Sequence, residues 1–185
     1  MRRPVIRVCL LGAESTGKTT LARDLAASYD TVWNPEYGRP YTELGRPRGA
    51  PWTSGEFTHI AAIHCWYEDF LAESARRVLF CDTDAFTTAV FHEIYLGEPT
   101  DAFEELVSRV YELFVVCGLD VPWARDGIRE FEERRRWMHE RYAARAEASG
   151  RPWLLAEGLP EARLAATRLA VDALLADQAG EAGDR

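Results

Sequence analysis

Nowhere does the chain hold the roughly eighteen uncharged apolar residues a helix needs to cross a bilayer, so no membrane span is expected. The apolar run over residues 5–11 contains Arg7 and leads at once into a glycine-rich loop, too short a segment for a signal peptide, and a cytoplasmic protein is expected. Cysteine is scarce: the four, at 9, 65, 81 and 117, show no Cys-x-x-Cys spacing, which argues against a zinc site or a disulfide framework. Cys9, Cys81 and Cys117 lie in apolar runs and read as buried, reduced thiols. The histidines His59, His64, His92 and His139 form no His-Glu-x-x-His or other dense metal set and read as packing or surface residues. Positive charge is in deficit, 22 Lys and Arg against 30 Asp and Glu for a net charge of -8, so no global grip on nucleic acid is expected. The guanine-reading tetrapeptide Asn-Lys-x-Asp is absent, and Asp-x-x-Gly occurs only at Asp177 to Gly180 in the tail, which excludes the usual GTPase pattern. Large ring ATPases need more chain than 185 residues.

What is present reads as one domain over residues 1–177 with a tail at 178–185. Residues 5–11 are rich in Val, Ile and Leu and read as a buried central strand. From Thr19 the spacing becomes helical, with Leu21 and Leu25 on one face. Residues 29–33 read as a second strand stopped by Asn34-Pro35, and residues 36–53 are broken by Gly and Pro. Ser54 is expected to cap a helix over about 55–76, with Phe57, Ile60, His64, Tyr67 and Leu71 recurring at helical spacing. Residues 78–81, 113–117 and 153–156 read as further strands. Helices are expected over 87–95, around Phe103, Leu106, Val107 and Val110, over 130–148, and from Pro160 with Leu164, Ala165, Leu169 and Leu175 facing the core. Five short apolar strands alternating with helices predict a three-layer α/β/α fold of the P-loop kinase kind, with a five-stranded parallel sheet and right-handed crossovers.

The octet Gly12-Ala13-Glu14-Ser15-Thr16-Gly17-Lys18-Thr19 matches G-x-x-x-x-G-K-T, with a strand before it and a helix after it. The glycines let backbone N–H groups and the helix start surround phosphate oxygens. Glu14, Ser15, Thr16, Gly17 and Thr20 join Gly12 in the expected nucleotide site; Lys18 is suited to the β and γ phosphates, and the Thr19 hydroxyl to magnesium. Asp82, at the end of a strand, is the expected carboxylate for that ion, with Asp84 two residues on at the same sheet edge. Ser15 and Thr16 belong to this loop, so they imply no Ser/His/Asp hydrolase.

A small-molecule kinase must keep water from the transferring phosphate, and a lid carrying arginines is the usual device. Residues 121–137 fit: Pro122-Trp123-Ala124-Arg125-Asp126-Gly127-Ile128-Arg129, then Arg134, Arg135 and Arg136. Arg125 and Arg129 are the expected phosphate clamps; the later arginines read equally as a solvated face paired with Glu130, Glu132 and Glu133. A hydroxyl acceptor needs a base or an orienting carboxylate, and Glu36 and Asp84 are the two candidates.

These pieces together resemble the ribosylnicotinamide kinase domain of NadR-type proteins. The matching stretches are the phosphate loop, Glu36-Tyr37-Gly38-Arg39-Pro40-Tyr41, Cys81-Asp82-Thr83-Asp84 with Thr87-Thr88, Tyr95-Leu96-Gly97, and Pro122-Trp123 with Asp126-Gly127-Ile128-Arg129, spread over residues 5–176. The resemblance implies ATP and magnesium, and nicotinamide riboside as the small-molecule partner, phosphorylated on its 5'-hydroxyl to the mononucleotide with release of ADP. It implies aromatic rings around a cationic nicotinamide, for which Trp33 and Tyr95 are the corresponding positions, with cation–π attraction as the physical reason. Riboside hydroxyls would pair with Glu36 and Asp84, and Tyr37, Arg39, Thr88, Trp123 and Asp126 complete the implied acceptor set. Where the family reads Trp-Glu-Tyr, Asn34-Pro35 here separates Trp33 from Glu36. The nucleotidyl-transfer and DNA-binding domains of long NadR proteins do not fit in 185 residues, so neither activity is expected of this chain. Rival readings are a kinase for another nucleoside, nucleotide or small metabolite, the nucleotide case resting on Arg39 and Arg46, and a nucleotide-binding regulator.

Overall fold

The computed structural model describes residues 4–47, 49–99, 101, 104–123 and 132–180. The strands are β1 (Ile6–Leu11), β2 (Trp33–Asn34), β3 (Val78–Asp82), β4 (Leu113–Cys117) and β5 (Trp153–Ala156). The helices are α1 (Lys18–Ser28), the short α2 (Gly38–Pro40), α3 (Ser54–Ser74), α4 (Ala85–Leu96), the short α5 (Glu104–Val107), α6 (Arg135–Ala148) and α7 (Pro160–Gly180). A π-helical turn covers Tyr41–Gly45 and a 3-10 turn Glu132–Arg134.

The five strands form one parallel sheet in the order β2-β3-β1-β4-β5. Side chains alternate across a strand, so β1 sends Val8 and Leu10 to one face and Cys9 and Leu11 to the other. The first face packs with Leu21 and Leu25 of α1 and Val171 and Leu175 of α7. The second packs with Val90 of α4 and Met138 and Tyr142 of α6. Both faces are covered, which is why residues 8–11, 78–81 and 113–117 read as apolar runs. All four cysteines are buried and free.

Several elements depart from the sequence expectations. The second strand is Trp33–Asn34, not residues 29–33: Tyr29 closes α1, its N–H bonded to the Leu25 carbonyl, and its ring packs 5.6 Å from Phe80. Thr53, not Ser54, caps α3, in a capping box with Glu56 that satisfies two end groups reciprocally. The helix ends at Ser74 rather than at 76 because Ala75 turns to extended backbone. Tyr67 faces outward from α3, while Glu68 is buried. The stripe at 103–110 shrinks to α5, with Val110 exposed and Phe103 outside the described residues. The core face of α7 is Arg163, Thr167, Val171 and Leu175; Leu169 is 76% exposed and Ala165 is also outside. Two of those inward positions are polar, which hid the face from an apolar count. Residues 178–180 stay helical, with the Gln178 amide donating to the Pro4 carbonyl. Among the described residues no helix is long and apolar enough to cross a membrane.

Candidate active site

The carboxyl ends of β1 and β3 open into a cleft of about 600 Å³. It is lined by the phosphate loop and by Glu36, Tyr37, Arg39, Trp52, Phe57 and Tyr95. β1 delivers Gly12, whose added Cβ would meet Thr16 Oγ1 at 2.8 Å and Cys117 Cβ at 3.1 Å, so only glycine fits this close approach. Gly17, at φ 82°, turns the loop into α1. Lys18 Nζ donates to the carbonyls of Gly12 (2.8 Å) and Ala13 (3.0 Å), curling back over the loop. Glu14, Ser15, Thr16, Gly17, Thr19 and Thr20 line the same end of the cleft.

Asp82 ends β3 beside this loop, and Thr19 Oγ1 donates to its Oδ2 at 2.5 Å. Asp82 Oδ1 is buried and, among the described residues, has no hydrogen-bond partner. Burial pushes this carboxyl above its usual range, against the pull of the Lys18 ammonium. A hydroxyl and a carboxylate with a spare oxygen, both beside a phosphate loop, fit a hard divalent cation that prefers oxygen ligands. Asp84 caps α4, its Oδ1 accepting from the Thr87 N–H at 3.0 Å and from the Thr87 hydroxyl at 3.2 Å. Burial raises its pKa to about 6. It lies behind the cleft wall formed by Thr83, Thr87 and Thr88, so Glu36 is the carboxylate of the pair that lines the cleft directly.

The aromatic wall differs from the sequence expectation at one position. Trp33 packs against the cluster of β1, α1 and α7 and does not line the cleft; the two residues Asn34-Pro35 move it off the rim. Trp52 occupies the wall instead, stacked on Phe57 at 4.8 Å and 5.1 Å from Tyr95. The Arg46 guanidinium lies 3.8 Å from the Trp52 ring centre and pairs with Glu56 at 2.9 Å. Arg39 pairs with Glu43 at 3.6 Å.

Three positions at or beside the site were missed or left undivided by the sequence expectations. Trp52 sits in a Gly- and Pro-rich loop, and only its being aromatic marked it. Arg135, at the start of α6, donates to the carbonyls of Val121 (2.9 Å) and Ser15 (3.4 Å), so one of the three consecutive arginines does reach the phosphate loop. Trp123 lies under it, 5.6 Å from ring centre to guanidinium, rather than in the cleft wall. Arg163 of α7 is buried, donating to the Thr16 carbonyl at 2.7 Å and the Gly158 carbonyl at 3.0 Å, and pairing with Asp120. It ties the phosphate loop to the turn after β5, and nothing in an Ala- and Leu-rich helix signalled it. Arg125, Asp126 and Arg129, expected in the lid, lie outside the described residues.

A family model described as AAA domain matches residues 7–163. The trifunctional NAD biosynthesis/regulator protein NadR of Salmonella typhimurium is 36% identical over 125 residues, 66% of this chain and 30% of that protein. The protein of the same name from Escherichia coli strain K12 matches over the same shares at the same identity. The chain thus spans under a third of the length of these relatives. A crystal structure of NadR protein in complex with NR superposes with TM-score 0.71 at 26% identity, over 85% of this chain and 47% of that one. Deoxyadenosine kinase from M. mycoides, at 9% identity, shares the fold alone, with TM-score 0.60 over 91% of this chain and all of its own.

Proposed function

The chain belongs to the AAA domain family, and from that premise we propose that it is an ATP-dependent kinase that phosphorylates the 5'-hydroxyl of nicotinamide riboside, giving nicotinamide mononucleotide and ADP. The observation that carries this reading is a cleft lined both by a phosphate loop and by the mutually packed rings of Trp52, Phe57 and Tyr95. The likeness to NadR, including the structure in complex with NR, supports the acceptor.

Each group has a task set by its place. The loop N–H groups and Lys18 hold the triphosphate. Thr19 and Asp82 would hold magnesium, which when bound neutralises phosphate charge. Arg135 covers the loop from the lid side and adds positive charge toward the transferring group. Glu36, on the cleft wall, orients the acceptor hydroxyl and takes its proton; Asp84 fixes the wall by capping α4. Tyr95 presents an electron-rich face to a pyridinium cation, and Trp52, its own ring covered by the Arg46 guanidinium and Phe57, backs Tyr95 at 5.1 Å.

An acceptor that already carries phosphate would be drawn by Arg39 and Arg46. Both guanidiniums have carboxylate partners, Glu43 and Glu56, which favours the uncharged-tail nucleoside over the nucleotide. The test is ADP release from the purified protein with Mg-ATP, with and without nicotinamide riboside, alongside the mass of the product. Riboside-dependent ADP and a product heavier by one phosphate are expected; ADP release indifferent to the riboside would assign the cleft to another acceptor.

A further inference from the structure

Thr83 stands between Asp82, the last residue of β3, and Asp84, and its backbone has φ 78°. That is the left-handed region, where a β-branched side chain crowds its own backbone. Glycine would hold the same turn without that crowding. The turn is nevertheless fixed. The Thr83 N–H donates to the Leu10 carbonyl of β1 at 3.0 Å. On its other side the Thr83 peptide acts on the buried His64 ring of α3. The Asn34 amide in turn lies 3.2 Å from His64 Nε2 and donates to the His64 carbonyl at 3.3 Å, which ties the ring to β2.

The neighbours of Thr83 have other tasks, Asp82 with Thr19 and Asp84 with Thr87. Thr83 itself lines the cleft, and among the described residues its hydroxyl has no partner. Strain at a site residue that a smaller residue would relieve points to use of the side chain. We propose that Thr83 is a catalytic residue of phosphoryl transfer, its hydroxyl donating a hydrogen bond to a non-bridging oxygen of the transferring group. This rests on the kinase reading above. In the step, the acceptor oxygen forms the new bond to phosphorus as the bond to the leaving nucleoside diphosphate oxygen breaks. The acceptor's proton goes to the nearby carboxylate, and Thr83 keeps its own proton throughout.

The experiment compares Thr83→Gly, Thr83→Val and Thr83→Ser for kcat, both KM values and melting temperature. Thr83→Gly is expected to melt at or above wild type while kcat falls about 30-fold, the loss of one hydrogen bond to a charged group, with both KM values within about twofold. Thr83→Val, which keeps the shape without the hydroxyl, is expected to match that loss. Thr83→Ser is expected to recover kcat to within about threefold of wild type. Wild-type turnover in Thr83→Val overturns the role of Thr83 and leaves the kinase reading standing. So does a Thr83→Ser variant as slow as Thr83→Gly. A wild-type protein that transfers phosphate to no acceptor overturns both.

Discussion

The Thr19 hydroxyl donates to Asp82 Oδ2 across 2.5 Å, joining the start of α1 to the end of β3. Parallel register places β1, which leads into the phosphate loop and α1, beside β3, Leu10 opposite Asp82. The pair therefore belongs to the sheet frame and not to a mobile segment. Asp82→Asn keeps the size and the Thr19 contact but removes the charge. We expect about a 100-fold loss of kcat, the size of effect seen when a group acting on a metal is removed, with the melting temperature near wild type. A magnesium titration checks it: the variant should need more magnesium for half-maximal rate, and an unchanged titration would remove Asp82 from the metal site.

Lys18→Ala should abolish phosphoryl transfer and leave the fold intact. Among the described residues the Lys18 hydrogen bonds are two, both to loop carbonyls, so little stability depends on it. Circular dichroism and turnover measured on one preparation decide this. Near-normal turnover would refute the nucleotide site.

Trp52 and Trp33 should separate cleanly. Trp52→Ala removes a ring that lines the cleft and backs Tyr95 at 5.1 Å, and on the proposed reading it should raise the KM for nicotinamide riboside about tenfold, leaving that for ATP unchanged. Trp33→Ala should lower stability, since the ring packs on the core, without a selective effect on the riboside. Steady-state kinetics with each substrate varied in turn is the measurement, and a riboside effect confined to Trp33→Ala would return the acceptor wall to the strand end.

The contrast between these two tryptophans shows what was legible. The phosphate loop and the aspartates around the end of β3 are local patterns, particular residue types at fixed spacing, and the structure brings them to one sheet edge. Trp33 was assigned through the resemblance, and the structure packs it against the core instead. Arg163 and Arg135 reach the loop from distant elements, through partners more than a hundred residues away in the chain, which no local spacing encodes. The inward polar residues of α7 were unreadable for the same reason: their burial is offset by hydrogen bonds, not by apolarity.

Acid should weaken the fold through His64. Burial holds this imidazole below its ordinary pKa of 6.5, outweighing the pull of Glu68 and Glu36, with Arg109 adding to the depression. Below about pH 6.5 the unfolded chain takes up a proton that the folded chain refuses, so stability falls with pH from about 7 to 5. Asp82 and Asp84, raised by burial, act in the opposite sense over an overlapping range, and a single wild-type curve mixes the two. The difference in unfolding free energy between wild type and His64→Gln isolates the histidine. It should rise from pH 5 to pH 7 and be flat above; a difference independent of pH would mean that the ring titrates alike in both states.

Glu68 sets the stability of the sheet's other end. Its carboxylate is fully buried, accepting from Arg7 at 2.7 Å, Arg109 at 3.2 Å and the Tyr111 hydroxyl at 2.8 Å, while Asp69 pairs with the same two arginines. Arg7 lies near the start of β1, and Arg109 and Tyr111 precede β4, so the cluster pins α3 to the edge opposite the cleft. Removing Glu68 leaves the buried Tyr111 hydroxyl without its acceptor and the two half-buried guanidiniums with Asp69 alone, which costs more than the pair itself contributes. Glu68→Ala should lose about 3 kcal/mol in urea unfolding. Asp69 remains for both arginines, so the loss should stop short of unfolding the protein. At a temperature where the variant is folded, kcat and both KM values should match wild type, because none of the groups involved reaches the cleft.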